Sequence, residues 1–323
     1  MLARLGQRLL AGLAVVLGVV TLTFVLLHVA PGDPTDIILG PMASTEQVAV
    51  QRRLLGLDRP LPAQFASWLC RFVRGDWGTS ITKGRPVRAI LGDAWPATVR
   101  LVGLSLILSY LIGLAIGVVQ AARSRSRIDT LLSVSSVTLF AVPGYWLGLM
   151  LVLVFTYWTQ ALPAFGAAGL DSDYLHGGSW LIDRLRHLAL PLATLTLVGI
   201  GGAARFARGA MLETLSQPFI VTARAKGLTT SRVVSRHALR NALTPVVTLL
   251  GLSLPVLFSG AVFVEAVFAW PGVGRVLVEA VQARDYPVVM AATTVSAVLV
   301  VAGNMLADAL AAWLDPRIRS RTA

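Results

Sequence analysis

Charge is scarce in this chain. Asp, Glu, Lys and Arg make up 14% of its 323 residues, where an ordinary soluble domain carries about 25%. Cysteine is almost missing: Cys70 stands alone, which excludes an intrachain disulfide framework and a cysteine-rich metal site. The four histidines, His28, His176, His187 and His237, are far apart in sequence, a spacing that argues against a metal cluster built by this chain alone. No G-x-x-x-x-G-K-[ST] loop is present to cradle nucleotide phosphates, and no H-E-x-x-H, G-x-S-x-G or C-x-x-C occurs. The chain is therefore expected to be no enzyme and to hold no cofactor of its own. Acids are the scarcer sign, 16 against 28 basic residues, for a formal net charge of +12. That balance raises nucleic acid as a partner, and the placement of the charges argues against it.

What fills the sequence is apolar: 55% of the residues are hydrophobic and the mean hydropathy is +0.73. A helix crossing the hydrocarbon core needs roughly 20 apolar residues. Five uncharged runs reach or approach that length, at residues 9–30, 101–122, 130–157, 242–264 and 288–307, and a shorter glycine-rich sixth lies at 188–204. None alternates as a barrel strand would, and in lipid the backbone then satisfies its hydrogen bonds only as helix. The sequence thus predicts an all-α membrane protein with six transmembrane helices. The first run follows Arg4 and Arg8 and exceeds the about 7–15 apolar residues of a signal peptide, so it is read as an uncleaved first helix.

Charge sets the orientation. With the N-terminus in the cytoplasm, the short inner segments hold fifteen basic residues, among them Arg123, Arg125, Arg127, Arg205 and Arg208. The two short outer loops hold four, Arg184, Arg186, Arg275 and Arg284. This is the asymmetry of the positive-inside rule. It places both termini in the cytoplasm and makes anionic membrane lipid, not nucleic acid, the partner of the basic residues. Ionisable groups are nearly absent within the runs; Glu265 and Asp308 lie near the ends of two of them. That disfavours an ion-coupled carrier, which tends to bury such groups near the midplane.

Two segments outside the lipid are longer than connectors. Residues 31–97 are expected on the outer side, with a short amphipathic helix at 45–55 capped by Ser44 or Thr45. Residues 208–241 are expected on the cytoplasmic side as two short helices. The first, 219–226, ends at Gly227, which can take positive φ. Thr230 or Ser231 caps the second, in which Val233, Val234, His237, Ala238 and Asn241 recur at helical spacing opposite Arg232, Arg236 and Arg240.

This second segment carries a resemblance. Thr222-Ala-Arg-Ala-Lys-Gly-Leu228, followed by Arg236-His-Ala-Leu-Arg-Asn-Ala-Leu-Thr-Pro245, resembles the EAA loop of the permease subunits of ABC importers, within the dipeptide/oligopeptide/nickel group. Ala30-Pro-Gly-Asp-Pro34, Leu55-Gly-Leu-Asp-Arg-Pro-Leu61 and Gly75-Asp-Trp-Gly-Thr-Ser80 fit the same group. So do Glu265-Ala-Val-Phe-Ala-Trp-Pro-Gly-Val-Gly-Arg275, Arg284-Asp-Tyr-Pro287 and Leu314-Asp-Pro-Arg-Ile-Arg319. The general loop pattern has Glu where this chain has Val221 or Thr222, so a contact made through that Glu does not carry over.

The resemblance implies an ATP-driven inner-membrane importer for peptides, with nickel or a metal chelate as the alternative cargo. Its organisation would be a first transmembrane helix (1–30), a periplasmic segment (31–97), a five-helix core (98–314) containing the coupling loop 208–241, and a cytoplasmic tail (315–323). The implied partners are a homologous second permease, two cytoplasmic ATPase subunits that bind ATP and Mg, and a periplasmic or lipid-anchored solute-binding protein. The residues implied at the ATPase contact are Phe219, Ala223, Arg224, Lys226, Gly227, Arg236 and Arg240.

Overall fold

The structure, a computed structural model, describes residues 2–30, 35, 39–40, 43–253, 255 and 261–314. Among them, regular structure is helical apart from one bridge between Thr79 and Pro86. Helix α1 (Leu2–Val29) leads to α2 (Thr45–Leu55) and α3 (Leu61–Val73), then to α4 (Val87–Ala122) and α5 (Arg127–Ala141). Helix α6 (Gly144–Val152) passes directly into a π-helical turn, Leu153–Trp158, and α7 (Gly178–Leu215) precedes α8 (Pro218–Ala225). Helix resumes at Thr230–Arg232, widens into a π-helical stretch at Val233–Ala238 and continues as α9 (Leu239–Leu252). Last come α10 (Val262–Val267), α11 (Val273–Gln282) and α12 (Tyr286–Leu314).

Four stretches are long and apolar enough to cross a bilayer: Gly6–Val29, Val87–Ala122, Gly178–Leu215 and Tyr286–Ala307. The run at 130–157 is not the single straight span that the sequence predicts. Helices α5 and α6 pass the same test only as a pair, bent by 99°. The cause is Pro143, whose ring excludes α geometry at the residue before it; Val142 accordingly sits at φ −73, ψ 127. The weak sixth run, 188–204, lies inside a 38-residue helix, because the charged residues flanking it stay helical beyond the apolar core. Helix α9 covers the first half of the run at 242–264, whereas residues 254 and 256–260 lie outside the described residues. The expected tail, 315–323, lies outside them too.

Two compact units divide the chain, Met1–Ala97 with Pro271–Ala302, and Thr98–Trp270 with Gly303–Ala323. In the first, α1 and α12 pack antiparallel. Val20 and Phe24 pack with Met290 near one end, Tyr286 donates its hydroxyl proton to the Leu27 carbonyl at 2.8 Å, and towards the other end Gly12 lies against Val301. Much of α1 is exposed and apolar, with Leu10, Leu22 and Leu26 more than half exposed, a surface suited to lipid. The amphipathic helix expected at 45–55 is present with those bounds. Ser44 accepts from the Gln47 amide while the Gln47 side chain accepts from the Ser44 amide, a full capping box. Two motifs far apart in sequence meet in this unit: the Ser80 hydroxyl, and the Thr82 hydroxyl at 2.9 Å, donate to the buried Asp285 carboxylate. Asp285 immediately precedes α12, where an acid is favoured by the helix dipole.

In the second unit α4 and α7 approach at their backbones. A Cβ at Gly113 would lie 2.5 Å from that of Ala203 and 2.9 Å from the Ala204 amide nitrogen, and one at Gly117 would lie 2.7 Å from the Ala204 carbonyl oxygen. Close small-residue packing of this kind is how helices associate where lipid removes the hydrophobic drive.

Candidate coupling site

Helix α8 starts on Pro218, a residue whose fixed φ suits the first helical turn. It stops where Gly227 takes φ +77, with the Gly227 amide donating to the Arg224 carbonyl at 2.9 Å. The break expected at Gly227 is therefore present. The cap expected at Thr230 or Ser231 is corrected: the N-cap is Thr229, and no side chain caps this helix.

The segment beyond the break departs from simple helical spacing. Its buried side chains are Val233, Ala238 and Ala242, a step of five followed by a step of four. The π-helical turn at Val233–Ala238 inserts the extra residue, and so the inward face moves on by one position. Asn241, which a continuous α-helix would turn inward, is exposed, whereas Arg232, Arg236 and Arg240 are exposed as expected.

Ile220 and Ala223 of α8 join Val233, Ala238, Ala242, Met211 and Ala121 in one buried cluster. Ala223 therefore faces the protein and anchors α8, while Phe219, Arg224, Lys226, Gly227, Arg236 and Arg240 are exposed. The result is a projecting two-helix knob with an apolar root and a basic outer surface. Arg224, Lys226, Arg232, Arg236 and Arg240 form no ion pair among the described residues. Those cations are available to an acidic or carbonyl-rich partner.

Sequence reasoning missed what holds the root. Asp129 is buried and accepts a two-pronged contact from Arg208, Nε to Oδ1 at 2.8 Å and Nη2 to Oδ2 at 2.9 Å. The Arg125 amide also donates to Oδ2 at 2.9 Å. This pair ties the start of α5 to the last turns of α7, the helix that leads into α8. Its one sequence signal was an acid isolated among basic residues at the foot of an apolar run. Helices α4, α7 and α9 line a cavity of about 630 Å³ whose polar groups include Tyr110, Ser253, Arg205 and Glu213. Tyr110 and Ser253 hydroxyls are 2.7 Å apart.

Residues 113–320 match the family described as "Binding-protein-dependent transport system inner membrane component", and residues 1–102 match its N-terminal counterpart. The chain belongs to this family. Relatives align almost end to end with this family member. It is 40% identical to the oligopeptide transport system permease protein AppB of Bacillus subtilis (strain 168), over 98% of this chain and 99% of the relative. It is also 40% identical to the probable D,D-dipeptide transport system permease protein DdpB of Escherichia coli (strain K12), over 97% and 96% of the two chains. Identity to the glutathione transport system permease protein GsiC of Salmonella typhimurium is 37%, over 97% of each. The family is one of transport permeases, which replaces an ion-coupled carrier as the frame for this chain. Among the described residues no group of three metal-ligating side chains comes together.

Proposed function

We propose that this chain is one permease half of an ATP-driven importer that brings peptides across the inner membrane. Its partners are a homologous permease, two ATPase subunits that carry ATP and Mg, and an external solute-binding protein. The relatives named for oligopeptides, dipeptides and glutathione support peptide as cargo over nickel or a metal chelate. The knob carries the mechanical part of the reading: an exposed basic surface on a firmly buried root is what a driven subunit needs to receive a push. Six crossings, with both termini and residues 208–241 in the cytoplasm and 31–97 outside, place the knob where ATPases could grip it. Closure of the ATPase pair would displace α8, and the buried cluster would pass that movement to α7 and α9. The cavity of about 630 Å³ between α4, α7 and α9 is this chain's share of the solute path. There Arg205 offers a partner for a peptide carboxylate and Glu213 one for its amino group.

The test uses the reconstituted importer. Gly227→Pro, or reversal of charge at Arg224 and Lys226 together, is expected to leave membrane insertion unchanged and to separate ATP hydrolysis from peptide uptake. Proline fixes φ near −65°, which the left-handed Gly227 cannot adopt without unwinding the break. Uptake at wild-type rate in both variants would remove the knob from the coupling path.

A further inference from the structure

We propose that a pocket beside the end of α1 binds the phosphate of an anionic phospholipid headgroup. The pocket has a volume of about 320 Å³ and lies wholly in the first unit. Arg53 from the last turn of α2, Arg59 from the α2–α3 link and Arg71 from α3 line it. No Asp or Glu lines it, and these three guanidinium groups form no ion pair among the described residues. Three uncompensated cations around one cavity define an anion site. The planar donor fork of arginine suits phosphate oxygens.

Two features select a lipid as the source of that phosphate. The spanning stretches Gly6–Val29 and Tyr286–Ala307 contribute Phe24 and Leu27 from the last turns of the former, and Tyr286 and Met290 from the first turns of the latter. The pocket therefore sits at the depth where the hydrocarbon ends and headgroups begin. Its wall towards the spans is apolar, suited to glycerol and upper acyl carbons, and its arginines come from the helices outside. The frame is built in advance. Gln64 Nε2 donates to the Leu57 and Arg59 carbonyls, which directs its Oε1 to His28 Nε2 at 3.2 Å. His28 Nδ1 is in turn 2.8 Å from the Phe24 carbonyl. The α2–α3 link is thus fastened to α1, and neither arginine-bearing helix has to be ordered by the ligand.

The full-length chain is reconstituted in nanodiscs of phosphatidylcholine with and without phosphatidylglycerol, and retained lipid is read by native mass spectrometry. Competition uses short-chain phosphatidylglycerol, inorganic phosphate and an N-acetylated tripeptide with a free carboxylate. Phosphatidylglycerol is expected to be retained in preference, and Arg53→Ala or Arg71→Ala to weaken retention about tenfold each. Arg74→Ala, outside the lining, should change nothing. Arg53→Lys and Arg71→Lys keep the charge without the fork and should give an intermediate loss, a readout that survives if an alanine variant misfolds. Equal retention of the two lipids, or wild-type retention in the lysine and alanine variants, overturns the proposal. Displacement by inorganic phosphate as effective as by short-chain lipid makes it a free-anion site. Stronger displacement by the peptide makes it a carboxylate site.

Discussion

Asp129 and Arg208 stand at the ends of apolar helices, where an unpaired charge held out of water costs several kcal/mol. Removing one partner alone therefore destabilises more than removing both. Arg208 keeps about a third of its side chain exposed, so Asp129→Ala is expected to cost about 1–3 kcal/mol, seen as a fall in thermal midpoint in detergent, and Asp129→Leu with Arg208→Met to recover much of it. If Asp129→Ala melts with the wild type, the pair is not what holds α5 to α7. Glu279 is the opposite case, in a half-exposed ion pair. Burial works to raise its carboxyl, but hydrogen bonds from Lys83 and Arg275 outweigh that and hold it below the ordinary glutamate value. A carboxyl lowered on folding stabilises the fold above its unfolded pKa of about 4.3 and loses that contribution as pH falls through the folded value. Glu279→Gln should thus cost less than about 1 kcal/mol at neutral pH, and wild type and variant should converge in a melting series taken down through that acidic range.

At the scale of elements, the π-helical stretch decides which way the coupling segment faces. Helical spacing alone selects Val233, Val234, His237, Ala238 and Asn241 as the inner face. The structure buries Val233, Ala238 and Ala242, since a π turn adds a residue and turns the rest of the helix by about 100°. Insertion of one alanine after Ser235, an exposed residue within that stretch, should carry the rest of the helix round by about a further 100°. Ala238 and Ala242 would leave the cluster, and ATP-driven uptake should fall sharply while the subunit still inserts. Uptake unchanged by the insertion would mean that the facing of α9 has no part in coupling. Residue composition alone does not reveal such an insertion, because local propensity is the same for α and π geometry and only packing against Met211 and Ala121 distinguishes them. The break at Gly227 and the capping box at Ser44 were legible for the converse reason: each is settled by a few adjacent residues.

For the whole molecule, the antiparallel pairing of α1 with α12 requires an even number of crossings, since the chain enters beside the place where it leaves. Helices α1, α4, α7 and α12 supply four. The bent pair α5–α6 and the stretch beginning with α9 must then both cross, or both stay on one side. With six crossings residues 208–241 lie on the side of the termini, and with four they lie opposite. Cys70, the sole cysteine and exposed, tests this directly. A membrane-impermeant maleimide should label it on intact cells, whereas Ser235→Cys in a Cys70→Ser background should label only after permeabilisation. Labelling of both on intact cells would establish four crossings and remove ATPase access to the knob. Apolar length and charge asymmetry, read from the chain alone, determined the membrane class, the existence of most spans and the side each loop is expected to face, because transfer into lipid depends on composition over some twenty residues. The motif series likewise pointed to the family. Only the tertiary structure decided the inward turn of Ala223, the burial of Asp129 on Arg208 and the gathering of three arginines beside α1. Each of these depends on residues distant in sequence or on packing between helices, where the energy lies in contacts that no local pattern encodes.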